Sequence, residues 1–198
     1  YRLLQQLMPD LDALDISYRL PLIDIAMPAL KQLSNLQYQT FRDNVTALIN
    51  MDSKVDLMEW SMQKILFSHL DAQFYNLPRP RRQYANAGRL KSEIELLLSV
   101  MAYAGNKGQS EVEAAFLAAA NTLQLERPQL VQKNDISLSG LDLSLQKLEQ
   151  LKPLVKPLLL RACATSMLHD QIISPTEVEV LRAFSDVLGC PLPPIDAG

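Results

Sequence analysis

An all-α bundle of about eight helices is the fold this sequence predicts, and three observations predict it. Apolar residues recur at three- and four-residue spacing along most of the chain, the period of a helix with one buried face. Glycine is scarce at 6 and aromatic residues reach only 6%, whereas Leu and Ala abound, a balance that favours helix over sheet. The segment 30–66 also recurs: moved forward by 118 positions, it lies on 148–184 without a gap. In that register Leu30, Gln32, Leu33 and Leu36 fall on Leu148, Gln150, Leu151 and Leu154, Asp52 on Asp170, and Glu59 on Glu177. Apolar positions coincide at Phe41/Leu159, Val45/Cys163, Ile49/Met167, Ile65/Ala183 and Leu66/Phe184. Repeats fix architecture, and this one predicts two related helix–acidic loop–helix units.

The elements follow in order. Residues 2–14 carry Leu3, Leu4, Leu7, Leu11 and Leu14 at helical spacing, interrupted by Pro9, which predicts a short or broken leading helix. A second helix is expected over 20–33, with Pro21 in its first turn and Pro28 kinking or dividing it. Ser34 caps a third over 35–51, with Leu36, Phe41, Val45, Leu48 and Ile49 facing inward. The fourth, near 57–74, turns Trp60, Ile65, Leu66 and Leu70 to the core. Residues 75–89 are polar, basic and rich in Pro, so they form a loop. Helices are expected over 90–103 and over 110–123, the latter capped by Ser110. After a loop at 126–140 come a short helix over 144–151, a longer one over 153–169 and a last one over 175–188. Pro157 fits only in a first turn, and Gly189 is the stop of the final helix.

Composition excludes several functions. The net charge of −3 argues against a general nucleic-acid footprint. Cys163 and Cys190 are too far apart for a metal spacing and read as reduced thiols. No apolar run of about 18 residues is present to span a bilayer. The chain begins at Tyr1 rather than Met, as expected of a piece of a longer protein, with 1–19 as leader or linker and 20–198 as one domain. With two histidines, His69 and His169, and no Ser/His/Asp or Cys/His spacing, most catalytic constellations are out of reach.

The acidic loops carry the candidate chemistry. One reads Asp52-Ser-Lys-Val-Asp-Leu-Met-Glu59, the other Asp170-Gln-Ile-Ile-Ser-Pro-Thr-Glu177. Asp56 and Ser174 stand as helix N-caps, with Glu59 and Glu177 three residues on, the spacing of a capping box. That explains the two Glu residues structurally. Asp52 and Asp170 sit at helix C-termini, the wrong end of the dipole, and need either loop N–H groups or a cation. Asp52, Asp56 and Glu59 in one loop, and Asp170, Ser174 and Glu177 in the other, offer oxygens to a divalent ion such as Ca, Mg, Mn or Zn. The loops lack the length and central Gly of an EF-hand. If the two units pack about a pseudo-two-fold, their carboxylates converge.

An Asp followed by Val or Ile and then Glu, after an apolar helix, resembles the motif of TerB-like (tellurite-resistance B type) helical domains. The segments 20–30 and 177–194 resemble the C-terminal soluble region of bacterial membrane zinc metalloproteases of the HtpX/CAAX-endopeptidase type. The resemblance covers most of 20–194, with 75–141 contributing little. It implies a non-catalytic regulatory or protein-interaction tail on the cytoplasmic side of a membrane, partnered with the peptidase domain of its parent chain. The chain departs from such peptidases in having no His-Glu-x-x-His, the zinc and general-base arrangement. It departs from the motif in carrying Ser53 and Gln171 where the family prefers Gly after each Asp. Arg79, Arg81 and Arg82 form the one basic cluster. They read as a solvated loop, or as an anchor for anionic lipid heads if the parent is a membrane protein.

Overall fold

The computed structural model describes residues 2–49, 56–75, 84, 87–190 and 192. Among them are nine α-helices and no strand, so the chain is an all-α bundle: α1 Arg2–Asp12, α2 Arg19–Leu30, α3 Asn35–Ile49, α4 Leu57–Phe74, α5 Lys91–Gly105, α6 Gln109–Thr122, α7 Leu138–Leu148, α8 Lys156–Met167 and α9 Pro175–Val187. One isolated bridge joins Tyr84 to Leu151.

Helix α5 is the hub. It is buried on nearly every face, with Leu97, Leu98, Met101 and Ala102 at 0% exposure, as an apolar helix without a polar face must be. Helices α6, α7, α8 and α9 pack around it, and α4 lies on α9. Trp60 of α4 meets Phe184 of α9 edge-on, ring centroids 6.1 Å apart. A second, smaller core holds Met27, Tyr38 and Leu70, joining α2, α3 and α4 outside the main one.

Several elements differ from the sequence expectation. Helix α1 runs unbroken through Pro9. Helix α2 runs undivided through Pro28 and stops two residues later, at Leu30. Helix α6 is capped by Gly108, not Ser110. Helix α7 starts six residues earlier than expected, since Ser137 accepts the Gly140 N–H at 3.1 Å and caps it. Helix α8 begins at Lys156, with Pro157 in the first turn as anticipated.

The largest correction concerns the face of α3. Leu36 and Leu48, expected inside, are 75% and 65% exposed, while Tyr38 is fully buried. The helix is rotated because Tyr38 satisfies two needs at once: its ring stacks on Phe74 at 4.3 Å and its hydroxyl donates to Asp71 at 2.5 Å. Asp71 also takes Arg42 Nε at 3.0 Å. A Leu at that position would leave Asp71 short of a partner. On α4, Trp60, Ile65 and Leu70 are buried as expected, and Leu66 is half-buried.

The second helices of the two repeat units start in register. The 118-residue shift lays the start of α4, Leu57, on the start of α9, Pro175. The first helices differ in burial. Leu159, Cys163 and Met167 are buried, whereas the matching Phe41, Val45 and Ile49 are half-exposed. Helix α8 is walled in by α5, α6 and α9, while α3 leans chiefly on α4.

Candidate functional site

The two acidic elbows form the capping boxes that the spacing predicts. Asp56 Oδ1 accepts the Glu59 N–H at 2.8 Å, and Glu59 Oε2 accepts the Asp56 N–H at 3.1 Å. Ser174 Oγ accepts the Glu177 N–H at 3.3 Å, while Glu177 Oε2 takes the Ser174 N–H at 2.9 Å and its hydroxyl at 2.8 Å. Each satisfies N–H groups that a helix start leaves unpaired. Asp170 solves its helix-end problem with the loop: its Oδ1 accepts the Ile172 N–H at 2.9 Å, an Asx-type turn. Asp52 lies outside the described residues, as do Arg79, Arg81 and Arg82.

The Asx turn has a backbone cost. Gln171 sits at φ +64°, the left-handed region, where a Cβ crowds the backbone. This accounts for a preference for Gly after the Asp in such a motif. Gln171→Gly is expected to raise stability modestly, by up to about 1 kcal/mol; a lower urea midpoint would contradict that account of the turn.

Helix α9 brings two further carboxylates inside. Glu177 is 2% exposed, and its Oε1 fills the space beside Gly105 that a Cβ would occupy, 1.9 Å from the Cβ position. The end of α5 thus needs Gly105 so that the capping Glu can tuck under it. Glu179 is 1% exposed and accepts no hydrogen bond among the described residues. Arg19 Nη1, at the start of α2, lies 3.7 Å from it. Burial raises the pKa of both groups. Hydrogen bonds from Ser174 oppose this at Glu177, and Arg19 opposes it at Glu179, while the negative charges of Asp170 and Asp56 add to it. A raised carboxyl binds its proton more tightly folded than unfolded. Its contribution is therefore full in acid and lost as pH rises through the raised value.

Asp56 is thus brought within electrostatic reach of Glu179, and Asp170 within reach of Glu177. The described residues contain no group of three or more His, Cys, Asp or Glu placed to share a metal ion. Asp56, Glu59, Asp170 and Glu177 each commit an oxygen to a backbone N–H instead.

Other polar groups link the helices. His69 Nε2 of α4 lies 3.1 Å from Asp186 Oδ2 of α9, off the line a hydrogen bond needs. Arg182 joins the same carboxylate at 3.0 Å and reaches Asp24 of α2 at 3.5 Å. Ser68 precedes His69, but neighbouring helical positions point about 100° apart, so no Ser–His–Asp relay forms. An open groove of about 370 Å³ above these residues is lined by Arg42, Lys64, Phe67, Asp71 and Glu149. Its cations are already spent: Arg42 is paired with Asp71, and Lys64 with Asp142 at 2.7 Å. Burial pushes the Cys163 thiol up to about 12, which leaves it inert.

Sequence reasoning missed Glu179. The signal was present: an acid in the middle of Val178-Glu-Val-Leu181 has apolar neighbours on both sides. Its partner Arg19 is 160 positions away in the chain, and no spacing rule connects them. No helix among the described residues is long and apolar enough to cross a membrane. No family model, curated protein or solved structure matches this chain.

Proposed function

We propose that this chain is a non-catalytic regulatory or protein-interaction domain, the soluble TerB-like tail of a membrane-bound zinc metallopeptidase at the cytoplasmic face of a bacterial membrane. Its partner on this reading is the peptidase domain of the same parent chain. The observation that carries the reading is an apolar arm. Leu7, Met8 and Leu11 of α1, Leu14 and Ile16 of the connector, and Ile25 of α2 are 42% to 76% exposed. Helix α1 has no extensive packing against another helix of the described residues. Single apolar residues on a surface are ordinary, but Leu7 and Leu11 stand one turn apart on α1 and give that helix an uncovered apolar stripe. An eleven-residue helix is marginal alone in water, so α1 gains from a surface that covers its stripe. The arm leads back towards the side on which the resemblance places the peptidase domain.

A divalent-cation module is supported less well, because four of its five candidate carboxylates already serve as caps or turn acceptors. Two measurements test the first reading. This chain, supplied with zinc, is expected to cleave no peptide substrate. In the full-length protein, changing Leu7, Leu11 and Leu14 together to Ser is expected to alter peptidase rate or specificity with the melting temperature almost unchanged. Zinc-dependent cleavage by the chain itself, or a peptidase indifferent to the triple change, would sink it.

A further inference from the structure

Where α5 gives way to α6, the 3-10 turn Lys133–Asp135 borders a half-open surface cavity of about 220 Å³. Tyr103, Asn106 and Lys107 line it from the end of α5, and Gln132, Lys133 and Asn134 from the turn. No carboxylate lines it, in a chain where acids outnumber bases 22 to 19. Lys64, Lys91 and Lys147 each hold an ion pair, but Lys107 and Lys133 have none among the described residues. Lys133 is held over the Tyr103 ring, its Nζ 6.0 Å from the centroid, which steadies the ammonium without neutralising it. Asn106 donates its amide to the Ala102 carbonyl at 3.0 Å, which fixes its orientation. Gln109, also in the wall, is occupied with Glu113 at 2.8 Å.

The helix end contributes little. Glu111 folds back beside Gly108 at the start of α6, where a Cβ would lie 2.0 Å from its Oε2. The positive end of α6 is thus already answered by its own acid. What remains uncompensated is the lysine pair.

We propose that this cavity is a binding site for a small oxyanion of the phosphate type, with Lys107 and Lys133 supplying charge and the Gln132 and Asn134 amides supplying hydrogen bonds. The volume suits a tetrahedral anion with a few waters and falls below the usual range of about 300–1,000 Å³ for larger ligands. The site is independent of the peptidase-tail reading: it lies on α5, α6 and the turn, away from the α1–α2 arm.

Calorimetric titration of the whole chain with inorganic phosphate is the test. Saturable one-site binding, weakening with added salt, is expected. The Lys107→Gln/Lys133→Gln double variant is expected to bind at least about tenfold more weakly, the scale of two exposed charge contacts. Lys31→Gln/Lys152→Gln is the control: both lysines are exposed and hold no ion pair among the described residues, but stand outside the cavity. It should bind like the parent. No saturable binding up to about 10 mM phosphate, or equal weakening by the two double variants, would overturn the proposal. All four lysine positions are on the surface, so the variants are expected to fold, and circular dichroism checks that they do.

Discussion

Phe184→Ala is expected to lower the unfolding free energy by about 3–5 kcal/mol, the usual cost of truncating a buried aromatic. The residue is fully buried on α9 and meets Trp60 edge-on, so its removal opens a void on the seam between α4 and α9. That seam is the main attachment of the α2–α3–α4 side to the bundle around α5. Domains of this size have a total stability of about 5–15 kcal/mol, so the variant loses a large share. Urea unfolding followed by far-UV circular dichroism gives the number. Phe184→Leu, which keeps most of the volume, is expected to cost less than about 1.5 kcal/mol. Equal losses for Leu and Ala would mean that shape at the Trp60 contact, not volume, holds the seam.

Tyr38→Ala is expected to cost a comparable amount of local stability but to spend it elsewhere. Tyr38 is the centre of the small core with Met27 and Leu70, and its hydroxyl anchors Asp71. Truncation removes the stacking on Phe74 and leaves α3 with little to hold it. Because that core is separate from the one around α5, the loss should appear as faster amide exchange in α2 and α3, with α5 still protected. Tyr38→Phe keeps the ring and loses only the hydrogen bond, about 1 kcal/mol, since Asp71 retains Arg42. Uniform loss of protection in α5 and α3 alike would show that the two cores unfold as one.

Helix content and most helix positions were legible because they depend on neighbours in sequence. The capping boxes at Asp56/Glu59 and Ser174/Glu177, Pro157 in a first turn, and Gly189 at φ +61° after α9 are all three- or four-residue rules, and all four are found. The misplacements have the same origin. Nothing local separates a start of α7 at Ser137 from one at Ser144, and only the Gly140 N–H that Ser137 accepts and the packing of α7 on α5 mark the earlier start. Rotation of α3 was illegible for a stronger reason. Leu36 and Leu48 look more apolar than Tyr38, but Asp71, 33 positions on, makes the Tyr the better core residue.

The sequence by itself determined that this chain is helical, where its two elbows lie, and why Glu59 and Glu177 stand three residues after their caps. Those are consequences of backbone valence, settled within one helical turn. Only the tertiary structure decided that Glu177 tucks beneath Gly105, that Glu179 is buried against Arg19, and that Lys107 and Lys133 share one cavity. Each of these joins residues tens of positions apart or more. Which side chains lose their water there depends on how whole helices pack, and no local spacing encodes that.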